Sequence, residues 1–372
     1  MTFTYYGSVL ATVLILLLYP SQQADVQINE LRQKLQESIL ANPFFRANFS
    51  NFNLLHINPD EKNVGVDNFG EATTNNLERL FQKALTGKNV SLLVLGGSSS
   101  LGADLGPLCG VQTYHVALTS WWNRVIFPIT GSFLTKRLAA VGGIGTAYMS
   151  LCWKEYIKGF QDIDLMLSEF FINDPDITLH TSYDQSLKRF LQSIHEYVSC
   201  PALIFVKFCK ITIFPGKEIT CLVTNPAFRL HLRLVQENLK AFEITSINFQ
   251  SIICNILKTS HTQQLRKNEY FISHHPSHLA HAQIGYSLTN HIRNQFLQFL
   301  DGRDTVKQHK IRSCYNNNIL NTVPESICYT GILPNPTYQN LDLIYSLPKG
   351  WINGFKMRKP INGTLPFALD SM

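Results

Sequence analysis

The apolar and polar positions between residues 89 and 302 form alternating blocks of two kinds. Short apolar runs bounded by glycine or polar residues are typical of buried strands, and longer runs with apolar residues at helical spacing separate them. The strand-like runs are "VSLLVLGG", "LTKRLAAVGGIG", "DIDLMLSEFFIND", "PALIFVKFC" and "EITSINFQSI". Strands that alternate with helices predict a mostly parallel, five-stranded sheet with helices on both faces, which is a three-layer α/β/α sandwich.

The regions on either side of this block have different patterns. Residues 25–88 include "DVQINELRQKLQESILANPFF" and "NNLERLFQKALTGKN", whose spacing predicts a helical N-terminal lead. Residues 303–372 contain short strand-like pieces among many turn residues, which predicts a small β-rich C-terminal appendage. Between these two regions, the α/β domain is expected to occupy residues 89–302.

Residues 1–24 have the character of a secretory targeting segment. An apolar stretch from Val9 to Tyr19 is followed by Pro20 and polar residues, and no charge precedes Asp25. This predicts a signal peptide cleaved after Ala24, with an uncleaved signal anchor as the alternative. The protein is therefore expected to be secreted or lumenal, and to be attached to a membrane only if the segment is retained.

Cysteines and glycosylation sequons agree with that compartment. The chain has eight cysteines and no CxxC pair, so disulfides are expected and a zinc ribbon is not. A bridge between Cys314 and Cys328 would close a short asparagine-rich loop. Acceptor sequons predict N-glycosylation at Asn48, Asn89 and Asn362.

Composition narrows the class of protein. Apolar residues make up 45% of the chain and charged residues 16%, as in a globular protein. The net charge is +6, but the basic residues are scattered and form no stripe with interleaved aromatics, so nucleic-acid binding is not expected.

Glycine and polar residues follow several of the predicted strands. Because the carboxyl ends of parallel strands meet at one edge of the sheet, this edge is the expected ligand site. The first strand ends in Gly96 and Gly97, and Ser98 follows. This stretch alone could be a nucleophile turn or only a structural turn. The phosphate-binding patterns GxxxxGK[ST] and GxGxxG are absent from it.

Other strand ends supply complementary groups. Gly142 and Gly143 follow the second strand, Asn173 follows the third, and His275 precedes Pro276 before the last helix. A serine, a free glycine N–H, an amide side chain and a histidine are the components of an acyl-transfer site.

Four blocks in order, GGS, VGG, FFIND and HPSxxxH, resemble the SGNH (GDSL-like) hydrolase superfamily, in particular a branch with GGSxTxG in place of GDS. The resemblance covers roughly residues 90–300. It implies a three-layer sandwich that hydrolyses or transfers small-molecule, carbohydrate or lipid esters without a metal or organic cofactor. It also implies Ser98 as nucleophile, His275 as base, and an oxyanion hole of the Ser98 and Gly143 N–H groups and the Asn173 amide.

One position departs from this family. The acid of the family's DxxH block stands three residues before the histidine, where this chain has Ile272. Three explanations remain open at this point. A main-chain carbonyl could orient His275 in a Ser–His dyad, Glu269 could replace the acid, or the protein could be a non-catalytic relative that binds a glycan or an acylated ligand.

A histidine cluster and a tryptophan pair have simpler interpretations. His274, His278 and His281 lie close to His275, but no HExxH pattern and no nearby acidic ligand accompany them, so no metal site is expected. Trp121 and Trp122 lie in an apolar helix and are expected to belong to the core.

Overall fold

A computed structural model describes twelve segments of the chain. They are residues 27–41, 65–67, 71–106, 112–160, 162–174, 180–208, 226–249, 251–252, 270–272, 275–302, 355–357 and 369–371.

The centre of the molecule is a six-stranded sheet. Its strands are β1 (Val66–Asp67), β2 (Val90–Gly96), β3 (Leu134–Ala140), β4 (Leu165–Glu169), β5 (Ala202–Lys207) and β6 (Thr245–Asn248). Their order across the sheet is β1-β6-β5-β4-β2-β3. The five strands β2 to β6 are parallel, and β1 pairs antiparallel with β6.

Helices connect and cover the strands. They are α1 (27–41), α2 (Glu71–Leu85), α3 (Ser98–Leu101), α4 (Tyr114–Val125), α5 (Phe127–Thr130), α6 (Thr146–Tyr156), α7 (His180–His195), α8 (Pro226–Ala241) and α9 (His278–Leu300). A short antiparallel pair, β7 (Phe271–Ile272) and β8 (His275–Pro276), immediately precedes α9.

The strands are apolar throughout because both faces of the sheet are covered. All seven residues of β2 are buried, and alternate side chains enter different cores. Val90, Leu92 and Val94 pack with α1, α2, α4 and α9, whereas Leu93 and Leu95 pack with α6, α7 and α8. This alternation produces the three layers of the sandwich.

The predicted sandwich is confirmed, with one addition to its sheet. All five predicted parallel strands are present, and the sheet gains β1 as a sixth, antiparallel edge strand. β1 was missed because it has only two residues and lies in the region that was predicted to be helical. Trp121 and Trp122 are both buried, and the Trp122 indole N–H donates to the Ser132 carbonyl (2.9 Å).

The terminal predictions are only partly within the described residues. α1 and α2 contribute Leu35, Ile39 and Phe81 to the core beneath the sheet. Within the C-terminal region, β9 (Phe355–Met357) and β10 (Leu369–Ser371) pair antiparallel. Among the described residues no helix combines the length and apolarity needed to cross a bilayer. The targeting segment, the Cys314–Cys328 bridge, Asn48 and Asn362 lie outside these residues.

Candidate active site

The nucleophile turn lies directly after β2, at the carboxyl edge of the sheet. β2 ends at Gly96, and Ser98 is the first residue of α3. Two close approaches require the preceding glycines. A Cβ at Gly96 would lie 2.1 Å from the Ser100 hydroxyl oxygen, and a Cβ at Gly97 would lie 1.7 Å from Asn173 Nδ2. No residue with a side chain fits either position unless these neighbours move.

The three serines of this turn have different environments. Ser98 is half-buried, whereas Ser99 and Ser100 are buried. The Ser100 hydroxyl lies 2.9 Å from the Tyr114 hydroxyl and donates to Glu169 Oε2 at 3.0 Å. Ser100 therefore fastens the turn to the interior, and Ser98 is the one serine of the three that reaches toward the sheet edge.

His275 lies against Ser98 although 177 positions separate them in sequence. Its Nε2 is 2.8 Å from Ser98 Oγ. The β7–β8 pairing sets Ile272 opposite His275, and Ser277 caps the start of α9 by accepting from the Ala280 N–H (3.4 Å). A short hairpin and a capped helix thus hold the histidine from both sides.

The second ring nitrogen of His275 contacts a carboxylate that sequence reasoning missed. His275 Nδ1 is 2.7 Å from Asp104 Oδ2. The Asp104 side chain is 40% exposed and that of His275 is 12% exposed, so the pair lies at the surface of the site. With the proton on Nδ1, the ring donates to Asp104 and presents the Nε2 lone pair to the Ser98 hydroxyl.

Asp104 comes from the loop that follows the nucleophile. The Ala103 N–H donates to the Ser98 carbonyl (3.0 Å), so the chain folds back toward its own turn. Asp104 itself has φ +66°, a left-handed conformation that non-glycine residues rarely adopt. Gly102, with φ +80°, makes the preceding turn. Residues held in such conformations cluster at functional sites.

Asp104 was not among the explanations offered for the missing acid. The carbonyl-oriented dyad, one of the three open explanations, does not match this structure, because a carboxylate oxygen contacts His275 Nδ1. Glu269 lies outside the described residues. Ile272 is 39% exposed, at the position where the family's acid would stand. The sequence signal for Asp104 was a lone acid in "SSSLGADLG", six residues after Ser98.

Asn173 and the glycine turn after β3 lie beside Ser98. The Asn173 Nδ2 donates one hydrogen to the Ile144 carbonyl (3.1 Å), which leaves its second hydrogen available. A Cβ at Gly142 would lie 3.8 Å from Ser98 Cβ, so the turn runs next to the nucleophile. Gly143 is exposed and has φ +74°.

Asp174, in the turn after β4, forms hydrogen bonds with the start of α6. Its Oδ1 accepts from the Thr146 N–H at the start of α6 (2.6 Å), and its Oδ2 accepts from the Thr146 and Tyr183 hydroxyls (2.9 Å each). A carboxylate at a helix N-terminus is favourable because it satisfies free N–H groups. Burial raises the pKa of Asp174 to about 6, although these hydrogen bonds oppose the rise.

A second buried carboxyl group lies under the nucleophile turn. Glu169, the last residue of β4, is fully buried, and burial raises its pKa to about 8 against the hydrogen bond from Ser100. Its Oε1 has no hydrogen-bond partner among the described residues. Tyr114, whose pKa burial also raises, completes a chain of three polar groups from α4 to β4.

His115 of α4 and His281 and His291 of α9 lie in the interior, whereas His278 is half-buried. Burial lowers the pKa of His281 to about 3, and its ring stacks on Tyr114 at a centroid distance of 6.0 Å. The His115 Nε2–H donates to the Ser100 carbonyl (3.0 Å), and burial lowers the pKa of His115 to about 3. Among the described residues, no three potential metal ligands lie together as a group. His274 is not among those residues.

The fold is similar to that of solved esterases. A two-domain esterase active on acetylated mannans shares 19% identity over 70% of this chain and 62% of its own, with a TM-score of 0.50. The same esterase with mannopentaose matches at 18% over 62% and 55%, with a TM-score of 0.49. Axe2, an acetylxylan esterase from Geobacillus stearothermophilus, matches at 16% over 56% and 96%, with a TM-score of 0.42.

Sequence comparison adds no closer relative, because no family profile and no curated protein matches this chain. The chain spans 55–62% of the length of the two-domain esterase. At these identities the likeness bears on the fold alone. At that level it confirms the predicted three-layer α/β/α fold, which is the fold that the resemblance to the SGNH (GDSL-like) hydrolases implies.

Proposed function

We propose that the protein is a serine ester hydrolase or acyl transferase of the SGNH type, with Ser98 as nucleophile, His275 as general base and Asp104 as the acid that orients the base. The single observation that carries the proposal is the continuous contact Ser98 Oγ–His275 Nε2 (2.8 Å) and His275 Nδ1–Asp104 Oδ2 (2.7 Å). Three groups in this order, at hydrogen-bond distances, are the requirement for an activated serine.

The first half-reaction forms an acyl-enzyme. Ser98 Oγ attacks the ester carbonyl carbon while His275 Nε2 takes the hydroxyl proton, and Asp104 stabilises the imidazolium that results. The tetrahedral intermediate then collapses, its bond to the leaving oxygen breaks, and the alcohol departs with the proton from His275. The acyl group remains on Ser98.

The second half-reaction uses the same groups in reverse. His275 takes a proton from water or from an acceptor alcohol, whose oxygen attacks the acyl carbon. Collapse of the second intermediate returns the proton to Ser98 and releases a free acid or a new ester. Water as the acceptor makes the protein a hydrolase, and an alcohol makes it a transferase.

The negative charge that develops on the carbonyl oxygen needs donors that are already in place. We assign this role to the Ser98 and Gly143 N–H groups and to the second Asn173 Nδ2 hydrogen. Asn173 is suited to it because Gly97 and the Ile144 carbonyl fix the position of its amide. Loss of one such donor costs about 10²–10³ in kcat in a serine protease.

The contact between Asp104 and His275 also bears on the non-catalytic alternative. A glycan-binding or acyl-binding relative was considered because no acid was evident beside His275. With a carboxylate oxygen 2.7 Å from Nδ1, that reason no longer applies. A pocket retained for binding alone has no need of a base held between a serine and a carboxylate.

Labelling with a fluorophosphonate tests this proposal on the full chain. We expect rapid covalent labelling of Ser98, none in Ser98→Ala, and unchanged labelling in Ser99→Ala, a matched control at the adjacent buried serine. Activity would then be measured on p-nitrophenyl acetate, longer acyl esters, and acetylated mannan and xylan, with and without acceptor alcohols. A folded wild type that stays unlabelled while a known serine hydrolase reacts in parallel contradicts the proposal.

We also propose that the chain enters the secretory pathway and carries a glycan at Asn89. Asn89 is exposed, and its Oδ1 accepts from the Phe133 N–H (3.0 Å), which leaves Nδ2 for the glycan. Expression in a secretory eukaryotic host should give a mass shift that peptide N-glycosidase removes and Asn89→Gln reduces by one glycan. N-terminal sequencing of the product distinguishes a cleaved signal from a retained anchor.

A further inference from the structure

The buried carboxyl group of Glu169 has a location that the triad chemistry does not explain. Glu169 is the residue of β4 that pairs in register with Gly96, at the base of the nucleophile turn. Its backbone carbonyl accepts from the Gly97 N–H (3.0 Å), and its side chain accepts from Ser100 Oγ (3.0 Å). The backbone and the side chain of Glu169 therefore both form hydrogen bonds with the segment that carries Ser98.

A carboxyl group is energetically unfavourable at this buried position. Glu169 is 0% exposed, and its Oε1 has no partner among the described residues. Hydrogen bonds from Ser100 and from the Gly97 and Ser100 N–H groups favour its ionised form, but burial outweighs them. A buried acid without a cation tends to keep its proton. A serine or an amide at this position could hold Ser100 at lower cost.

The groups that face Glu169 do not supply a cation within the described part of the chain. Tyr114, from α4, is joined to Glu169 through Ser100. His115 contacts the Ser100 carbonyl and His281 stacks on Tyr114, and burial lowers the pKa of each histidine to about 3. Asp174, from the turn after β4, adds a negative charge that disfavours ionisation of Glu169. The Lys136 ammonium contacts His115 Nδ1 (3.2 Å) and forms no ion pair with Glu169.

The chemistry assigned to this edge also favours an uncharged acid. The oxyanion develops at the turn that Glu169 supports, and a carboxylate beneath it would oppose that charge through a low-dielectric interior. A neutral carboxylic acid offers the same hydrogen bonds to Ser100 without this repulsion. An apolar enclosure can hold a carboxylic acid neutral at pH 7 for such a purpose.

We propose that Glu169 is a positioning residue that works as a neutral carboxylic acid: it holds Ser100, and through Ser100 the nucleophile turn, without placing a negative charge beneath the oxyanion. Its ionisation then switches the site off at alkaline pH. This inference rests on the proposed function, since it concerns the same serine. Glu169 is not a catalytic residue here, because it acts through Ser100.

The test is the pH dependence of Ser98 labelling and of kcat in wild type and in Glu169→Gln. In wild type we expect both rates to fall by about tenfold per pH unit above the point where a single group ionises. Burial raises the pKa of Glu169 to about 8, which places this fall in a measurable range. Glu169→Gln mimics the neutral acid, so it should retain activity within about threefold at pH 7 and lose the alkaline fall.

A second variant, Asp174→Asn, should shift the pH of the alkaline fall, whereas Glu169→Gln should abolish the fall. Asp174 disfavours the ionised form of Glu169, so Asp174→Asn should move the alkaline fall to lower pH without removing it. A merely structural Glu169 would predict no change in either profile, whatever the variants do to stability.

A measurement on wild type alone covers the case in which Glu169→Gln does not fold. Infrared spectroscopy at pH 7 should show the carbonyl stretch of a protonated carboxylic acid, which disappears with the same midpoint as labelling. The proposal is overturned if this band is missing at pH 7, or if Glu169→Gln keeps the wild-type alkaline fall. Wild type that labels at no pH overturns the proposed function instead, and the Glu169 inference with it.

Discussion

Asp104 and His275 lie 2.7 Å apart, with the carboxylate oxygen against Nδ1 of the ring. The acid therefore comes from the loop of the nucleophile, six residues after Ser98, and not from the segment that carries the base. In this arrangement the β2–α3 turn and its following loop present both outer members of the proposed triad, and the hairpin before α9 places the histidine between them.

Removal of the Asp104 charge should cost activity without unfolding the protein. Asp104→Asn keeps the size of the side chain but disfavours the tautomer in which Nε2 accepts the Ser98 proton. We expect kcat to fall by about 10²–10⁴-fold with KM little changed, by comparison with the serine-protease triad. Because the Asp104 side chain is 40% exposed, thermal stability should change little.

A control for this experiment lies at the opposite edge of the sheet. Asp162 is an exposed acid just before β4, and Asp162→Asn should leave kcat unchanged. Equal activity of Asp104→Asn and wild type would show that the observed contact does not orient the base.

The contact between Gly97 and Asn173 predicts non-additive effects. A methyl group at position 97 would lie 1.7 Å from Asn173 Nδ2, so Gly97→Ala must displace the amide. We expect Gly97→Ala and Asn173→Ala each to lower kcat by about 10²-fold or more, the cost of a lost oxyanion donor.

A double-mutant cycle separates this effect from general damage to the turn. If Gly97→Ala acts through Asn173, it should cost little further activity in the Asn173→Ala background. Additive losses would mean that Gly97 is needed for the conformation of the turn and not for the position of the Asn173 amide.

The two buried serines of the nucleophile turn should affect stability differently. Ser100→Ala removes the group that joins Tyr114 to Glu169 and leaves both with one partner fewer. Loss of a buried polar partner costs about 1–3 kcal/mol, which urea denaturation can measure. Ser99→Ala removes no hydrogen bond found among the described residues and should cost less. A larger loss in Ser99→Ala would contradict the assignment of Ser100 as the fastening serine.

The buried Asp174 predicts a defined pH dependence of stability. Burial raises its pKa to about 6, so the folded protein binds the proton more tightly than the unfolded chain does. The stabilisation is present at low pH and is lost as pH rises through about 6. Relative to Asp174→Asn, the wild-type free energy of unfolding should fall by about 1 kcal/mol between pH 5 and pH 8. A rise over this interval would contradict the expected sign.

The sequence by itself determined the sandwich and the separate components of the site. Apolar runs such as "VSLLVLG" can be buried on both faces only in a covered parallel sheet, and glycine pairs at strand ends mark where the backbone must pass close to other groups. Ser98, Asn173 and His275 become candidates because each stands next to a strand end or a helix start, and their roles come from the resemblance to the SGNH hydrolases. A two-residue strand such as β1 has too few positions to show a period.

Only the tertiary structure decided which groups meet. The partner of His275 Nδ1 depends on the path of the loop after Ser98, in which Gly102 and Asp104 both adopt positive φ. No periodicity encodes that path, and the position three residues before the histidine holds Ile272. The contacts of Glu169 likewise depend on the fold, which brings Ser100 and Tyr114 to the end of β4. Strand and helix patterns report which face of an element is covered, whereas a catalytic contact depends on ångström-scale distances between segments far apart in sequence.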